Sequence, residues 1–173
     1  MIHGGGRAPR EICRSARLWG AYAVFVVLFL VVSLLPRQAS AFENLSREKL
    51  DVLLQSNQGK VTMVSYWTTW CGYCREEIPE LKKIRDDYSK DDLAMIGISL
   101  DTNMAQLKIF TRMAGFNYDI YHVSEKNKSQ FNEIYSFPTL VFYKKNGKKG
   151  WTQRGYMPPE QIRKTIAHFI KEQ

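Results

Sequence analysis

The stretch YWTTWCGYCREEIP, from Tyr66 to Pro79, decides the fold. It opens on the end of VTMVSYW, Val61 to Trp67, a short apolar and β-branched run that predicts a strand buried on both faces. Beyond Cys74 the apolar period becomes helical. Ile78, Leu81, Ile84 and Tyr88 fall on one side, Glu76, Lys82, Lys83, Asp86 and Asp87 on the other, and Pro79 predicts a kink. Cys71 and Cys74 thus stand in C-x-x-C spacing between a buried strand and the start of a helix.

That spacing serves several chemistries. A zinc site wants about four ligands, whereas His3, His122 and His168 are scattered and no second cysteine pair exists, so no metal is expected. Covalent haem attachment wants histidine directly after the second cysteine, and Arg75 stands there. A purely structural disulfide closes so short a loop that it removes little unfolded-chain entropy, which makes it a poor staple and a good redox couple. In the redox reading Cys71 sits at the helix N-terminus, where unpaired N–H groups and the macrodipole favour the nucleophilic thiolate. Cys74, one turn in on the covered side, then resolves the mixed disulfide.

Glu77 shares the helical face of Cys74, Leu81, Ile84 and Tyr88, and a carboxyl on an apolar stripe needs a reason. It can exchange the proton that disulfide chemistry moves, provided burial raises its pKa. The plainer alternative is a partly exposed glutamate paired with Arg75 or Lys82.

Outward from this stretch the elements alternate. Ser46 caps a helix carrying Leu50, Leu53 and Leu54, stopped by Asn57-Gln58-Gly59. LAMIGISL, Leu93 to Leu100, reads as a second buried strand, followed by a helix from Thr102 to Ala114 that ends at Gly115. A short strand at Tyr118 to Val123, a short helix at Lys128 to Tyr135 and a strand at Thr139 to Lys144 come next. Asn146-Gly147 turns into a strand at Lys149 to Arg154, and Pro158-Pro159 opens a last helix with Ile162, Ile166, Phe169 and Ile170 inward. The class is α/β, a central mixed sheet flanked by helices.

The chain has 173 residues, 45% of them hydrophobic and 24% charged, which excludes a disordered chain. Of its surplus of +8, half falls up to Ala41, where five arginines face Glu11 alone. With no basic stripe and no Gly-rich phosphate loop in the remainder, a nucleic-acid partner is not expected. Residues 18–35, LWGAYAVFVVLFLVVSLL, carry no charge and span about 27 Å as a helix, close to a bilayer core. Ala39-Ser40-Ala41 before Phe42 also suits signal peptidase, so residues 1–41 read as a signal anchor or a cleaved signal peptide. Four arginines ahead of the run and Arg37 behind it place residues 42–173 outside the cytoplasm: periplasm or cell exterior, tied to the cytoplasmic membrane if uncleaved. Cys13 precedes the run and is not placed as a lipoprotein acceptor.

WTTWCGYC after a buried strand, Ser136-Phe137-Pro138-Thr139 ahead of another, and Arg154-Gly155-Tyr156 before the last helix together resemble the thioredoxin superfamily. Y-W-T-T-W-C-x-x-C-x-x-E-I-P resembles, more narrowly, its exported TlpA, ResA and DsbE group, as does the extra helix and strand between Asp101 and Lys126. The resemblance covers residues 60–173. It implies a thioredoxin-like fold, a redox-active Cys71–Cys74 disulfide with no other cofactor, Glu77 as the active-site glutamate, and Pro138 as a cis-proline facing the disulfide. Trp70, Gly72, Tyr73, Phe137 and Gly155 would complete a surface on which a substrate chain pairs beside Pro138. Trp70 and Phe137 could equally be core packing.

Some positions depart from the pattern. Ser65 stands where plain thioredoxin has a buried aspartate, and Gly72-Tyr73 also occurs in exported isomerases of the DsbC type. Phe42 to Gly59 reads as one helix where the group often starts with a β-hairpin. Val64 replaces the proline of the peroxiredoxin signature P-x-x-x-T-x-x-C. The expected function is an exported thiol:disulfide oxidoreductase that reduces protein disulfides, supplied with electrons by a membrane donor protein; apocytochrome c is a candidate substrate by family analogy. The alternatives are a disulfide oxidase or isomerase, or a non-catalytic binding module.

Overall fold

Val61–Trp67 (β1) is the centre of a five-stranded mixed sheet completed by Leu93–Ser99 (β2), Asp119–His122 (β3), Thr139–Tyr143 (β4) and Lys149–Arg154 (β5). The strand order is β3-β2-β1-β4-β5; β1, β2 and β3 run parallel, β4 pairs antiparallel with β1, and β5 pairs antiparallel with β4. This is a computed structural model, and it describes Met1 and residues 44–172. The apolar run 18–35 and the Ala39-Ser40-Ala41 motif lie outside the described residues. Among the described residues no helix is long and apolar enough to cross a membrane.

Every residue of β1 is buried, because alternate side chains feed two helical layers. Val61 and Met63 join Leu81 and Ile84 of helix α2 (Gly72–Asp87) and Ile162, Ile166 and Phe169 of helix α4 (Pro159–Lys171). Val64 and Tyr66 point the other way, to Leu50 of helix α1 (Arg47–Ser56) and to Phe131. Helix α3 (Met104–Ala114) places Leu107 against Trp67. A strand with two covered faces cannot afford polar alternation, which is why VTMVSYW reads as a nearly continuous apolar run.

The helix ends follow local chemistry. Ser46 accepts from the Lys49 N–H at 3.3 Å, and Gly115, at φ 56°, ends α3 with its N–H on the Thr111 carbonyl at 3.1 Å. Asn103 caps α3 by accepting from Gln106, so that helix begins at Met104 rather than Thr102. The short helix expected at 128–135 is instead a 3-10 helix at Glu125–Phe131. Its sequence, EKNKSQF, has no helical apolar period, and Phe131 alone anchors it in the core. Helix α2 runs from Gly72 to Asp87 with Pro79 inside it, on its exposed side. Near its far end Arg85 is buried, its guanidinium donating to the carbonyls of Leu93, Tyr88 and Ser89 at 2.5, 2.7 and 3.0 Å.

Candidate active site

Cys71 is the N-cap of α2, in extended conformation, and Cys74 lies one turn in, 5.3 Å away between Cα atoms and joined to it by a disulfide. The Cys74 N–H points at the Cys71 sulfur at 3.1 Å. Helix-start donors therefore face Cys71, and no acidic side chain sits in the first turn to oppose them. Cys71 retains 7% exposure and Cys74 1%, the asymmetry expected of an attacking and a resolving sulfur.

The loop that delivers Cys71 is fixed by residues sequence reasoning did not pick out. The Asp101 carboxylate accepts from the Thr69 N–H at 3.1 and 2.9 Å, from the Thr69 hydroxyl at 2.7 Å and from the Ser99 hydroxyl at 2.8 Å. All three residues are buried. His122 Nε2 lies 2.7 Å from the Asp101 carbonyl, and Arg75 Nε donates to the Thr69 carbonyl at 2.8 Å. The available signal was an aspartate directly after an apolar strand, with two threonines ahead of the first cysteine.

Glu77 is 1% exposed and packs inward as its place on the apolar stripe predicts. Neither partner of the plainer reading reaches it: Arg75 is bound to Thr69, and Lys82 donates to the Ala114 carbonyl at 2.6 Å. Burial pushes the Glu77 carboxyl up to about 7, partly offset by the Met157 N–H that donates to Oε1 at 3.2 Å.

Phe137-Pro138 is a cis peptide and Pro138 is buried; its carbonyl accepts from the Gly155 N–H at 2.8 Å. Gly155 has φ 80°, a conformation that favours glycine. Trp70 is 64% exposed, so it is not core packing; it stands edge-on to the half-buried Phe137, ring centroids 5.7 Å apart. Tyr73 is exposed and faces Tyr156 at 6.3 Å, and Gly72 is exposed beside it. A groove of about 450 Å³ opens between Trp70, Phe137, Phe131 and Tyr135. The structure thus gathers Trp70, Gly72 and Tyr73 with the cysteines at the start of α2, and Phe137, Pro138 and Gly155 on the loops at one end of β4 and β5. Among the described residues no group of three or more histidine, cysteine or acidic side chains is placed to hold a metal ion.

Comparison with known proteins gives these features a family. The chain matches the AhpC/TSA family over residues 36–148, a span that contains both cysteines, Glu77 and Pro138. It is 27% identical over 110 residues to the thioredoxin-like protein YneN of Bacillus subtilis, covering 62% of each chain. It is 26% identical to the thiol-disulfide oxidoreductase ResA of Oceanobacillus iheyensis over 56% of this chain and 50% of that one. The chain thus spans about half to three-fifths of the length of these two relatives. Among solved structures, a thiol:disulfide interchange protein of the thioredoxin family from Chlorobium tepidum superposes with a TM-score of 0.60 at 20% identity, over 67% of this chain and 83% of that one. The fold is thioredoxin-like, and the chain belongs to the AhpC/TSA family, with ResA-like thiol-disulfide oxidoreductases among its relatives.

Proposed function

We propose that this protein is an exported thiol:disulfide oxidoreductase that reduces disulfides in other proteins. The observation that carries this reading is a C-x-x-C pair at a helix N-terminus with a buried carboxyl three residues beyond Cys74. In the reduced form the Cys71 thiolate attacks one sulfur of the substrate disulfide. The Cys71–substrate bond forms, the substrate S–S bond breaks, and the first substrate thiolate leaves and takes a proton. Cys74 then passes its proton to the Glu77 carboxylate and attacks the Cys71 sulfur, closing Cys71–Cys74 and releasing the second substrate thiolate, which is protonated in turn. The substrate gains two electrons and two protons, and the protein ends in the disulfide form of this structure.

Trp70, Tyr73, Phe137 and Gly155 frame the place where an extended substrate segment would pair beside Pro138, with Gly72 leaving the approach to Cys71 open. Export through residues 1–41 and a membrane electron donor complete the reading: a domain outside the cytoplasm has no thioredoxin reductant at hand and needs its electrons delivered across the membrane.

The experiment is the equilibrium potential of the Cys71–Cys74 pair against a dithiothreitol or glutathione series, with insulin reduction by Cys71→Ser as the control. A potential near −270 mV and an inactive variant support a reductase. A value of about −120 to −180 mV makes the protein an oxidase or isomerase, as Gly72-Tyr73 would favour, and full activity in the variant ends the proposal.

A further inference from the structure

Among the described residues the Glu77 carboxyl has one hydrogen bond, from the Met157 N–H. A carboxylate accepts more than one, and an under-bonded buried anion is costly. A candidate donor lies on the segment packed against this helix. Segment 114–118 is clamped to the helix that carries Glu77: Lys82 donates to the Ala114 carbonyl at 2.6 Å, and Asn117 Nδ2 donates to the Lys82 carbonyl and to Asp86 Oδ1 at 3.0 and 2.8 Å. Phe116 and Ile120 pack with Cys74 and Ile78, whereas Tyr118 packs with the cluster of Leu81 and Met157. These neighbours bracket Glu77 along its helix.

Gly97 makes room for this approach. It pairs with Ser65 across the sheet, and a Cβ at Gly97 would lie 2.5 Å from Ile120 Cδ1, 3.1 Å from the Tyr118 ring and 3.3 Å from Trp67 Nε1. The Tyr118 hydroxyl and the Trp67 indole N–H are both buried and without a hydrogen-bond partner among the described residues. Such orphans are uncommon in folded proteins, and each calls for an explanation, a catalytic role or a bridging water among them. The Tyr118 hydroxyl is itself held protonated, chiefly by burial and further by the charge of Glu77, which leaves it available as a donor.

We propose that Tyr118 is a positioning residue for Glu77: its hydroxyl donates to the carboxylate, directly or across one water, in the state in which Glu77 has given up its proton. This rests on Glu77 being the proton-exchanging group. The Met157 N–H from the β5–α4 connection donates to that carboxyl, Cys74 lies one turn before it on the same helix, and Arg75 and Lys82 are bound elsewhere.

The test is Tyr118→Phe, which keeps the ring and removes only the oxygen. The Glu77 carboxyl is followed by carbon NMR in the oxidised full chain, where neither sulfur titrates, with Glu77→Gln identifying the resonance. Loss of the donor should raise the Glu77 midpoint by about one pH unit, tenfold in ionisation constant, and move the matching limb of the insulin-reduction pH profile equally. A midpoint unchanged from wild type, in a variant that melts as wild type does at pH 5, overturns the proposal. The proposed reductase activity fails separately, through an active Cys71→Ser variant.

Discussion

The Asp101 carboxylate takes both the main-chain N–H and the hydroxyl of Thr69, two residues before the first cysteine. The end of β2 therefore sets the position of the loop that presents Cys71. Asp101→Ala leaves that N–H and two hydroxyls buried without an acceptor. The expected loss is about 3 kcal/mol of unfolding free energy, read from urea denaturation, with Asp101→Asn losing less because one acceptor oxygen survives. An Asp101→Ala protein as stable as wild type would show that water replaces the carboxylate freely.

Glu77 makes stability depend on pH in a definite direction. Its folded carboxyl titrates near 7 against a usual 4.5, because burial disfavours the charge. A raised folded pKa means the contribution is fully present below about pH 4.5 and is lost as pH rises through about 7. The decline amounts to about 3 kcal/mol. Glu77→Gln should flatten this part of the profile in urea titrations of the oxidised protein; an unaltered slope would place the pH dependence elsewhere.

Trp70 stands edge-on to Phe137, and its exposure of 64% leaves little burial to lose. Trp70→Ala should cost no more than about 1 kcal/mol of stability. If Trp70 meets the substrate chain, KM for a disulfide-containing polypeptide should rise roughly fivefold or more with little change in kcat. Steady-state kinetics that leave KM unmoved would remove Trp70 from the contact surface.

What the sequence made legible depended on the range of the interaction. β1 and β2 show as apolar runs because both faces are covered, and the position of Glu77 follows from helical period alone. The 3-10 helix was misplaced because one phenylalanine holds it and nothing repeats. The tie between Asp101 and Thr69 joins residues 32 apart in sequence, and no local pattern encodes such a pairing. Arg85 was equally hidden: its spacing puts it beside Ile84, but its three carbonyl partners lie on the turn and strand that follow. The unpaired hydroxyl of Tyr118 is visible only in three dimensions.

Arg85 also has a mechanical meaning. It moors the far end of the active-site helix to the carbonyls of Leu93, Tyr88 and Ser89, while Thr69 and Asp101 moor the approach to its near end. A rod held at both ends can neither slide nor swing as the sulfur–sulfur bond opens and closes, so the travel is confined to its first turn. On that footing the face around Trp70 and Phe137 is expected to keep one outline in both oxidation states. Under the proposed function, a partner would then tell an electron-loaded protein from a spent one by what the two sulfurs can do, not by a change of shape.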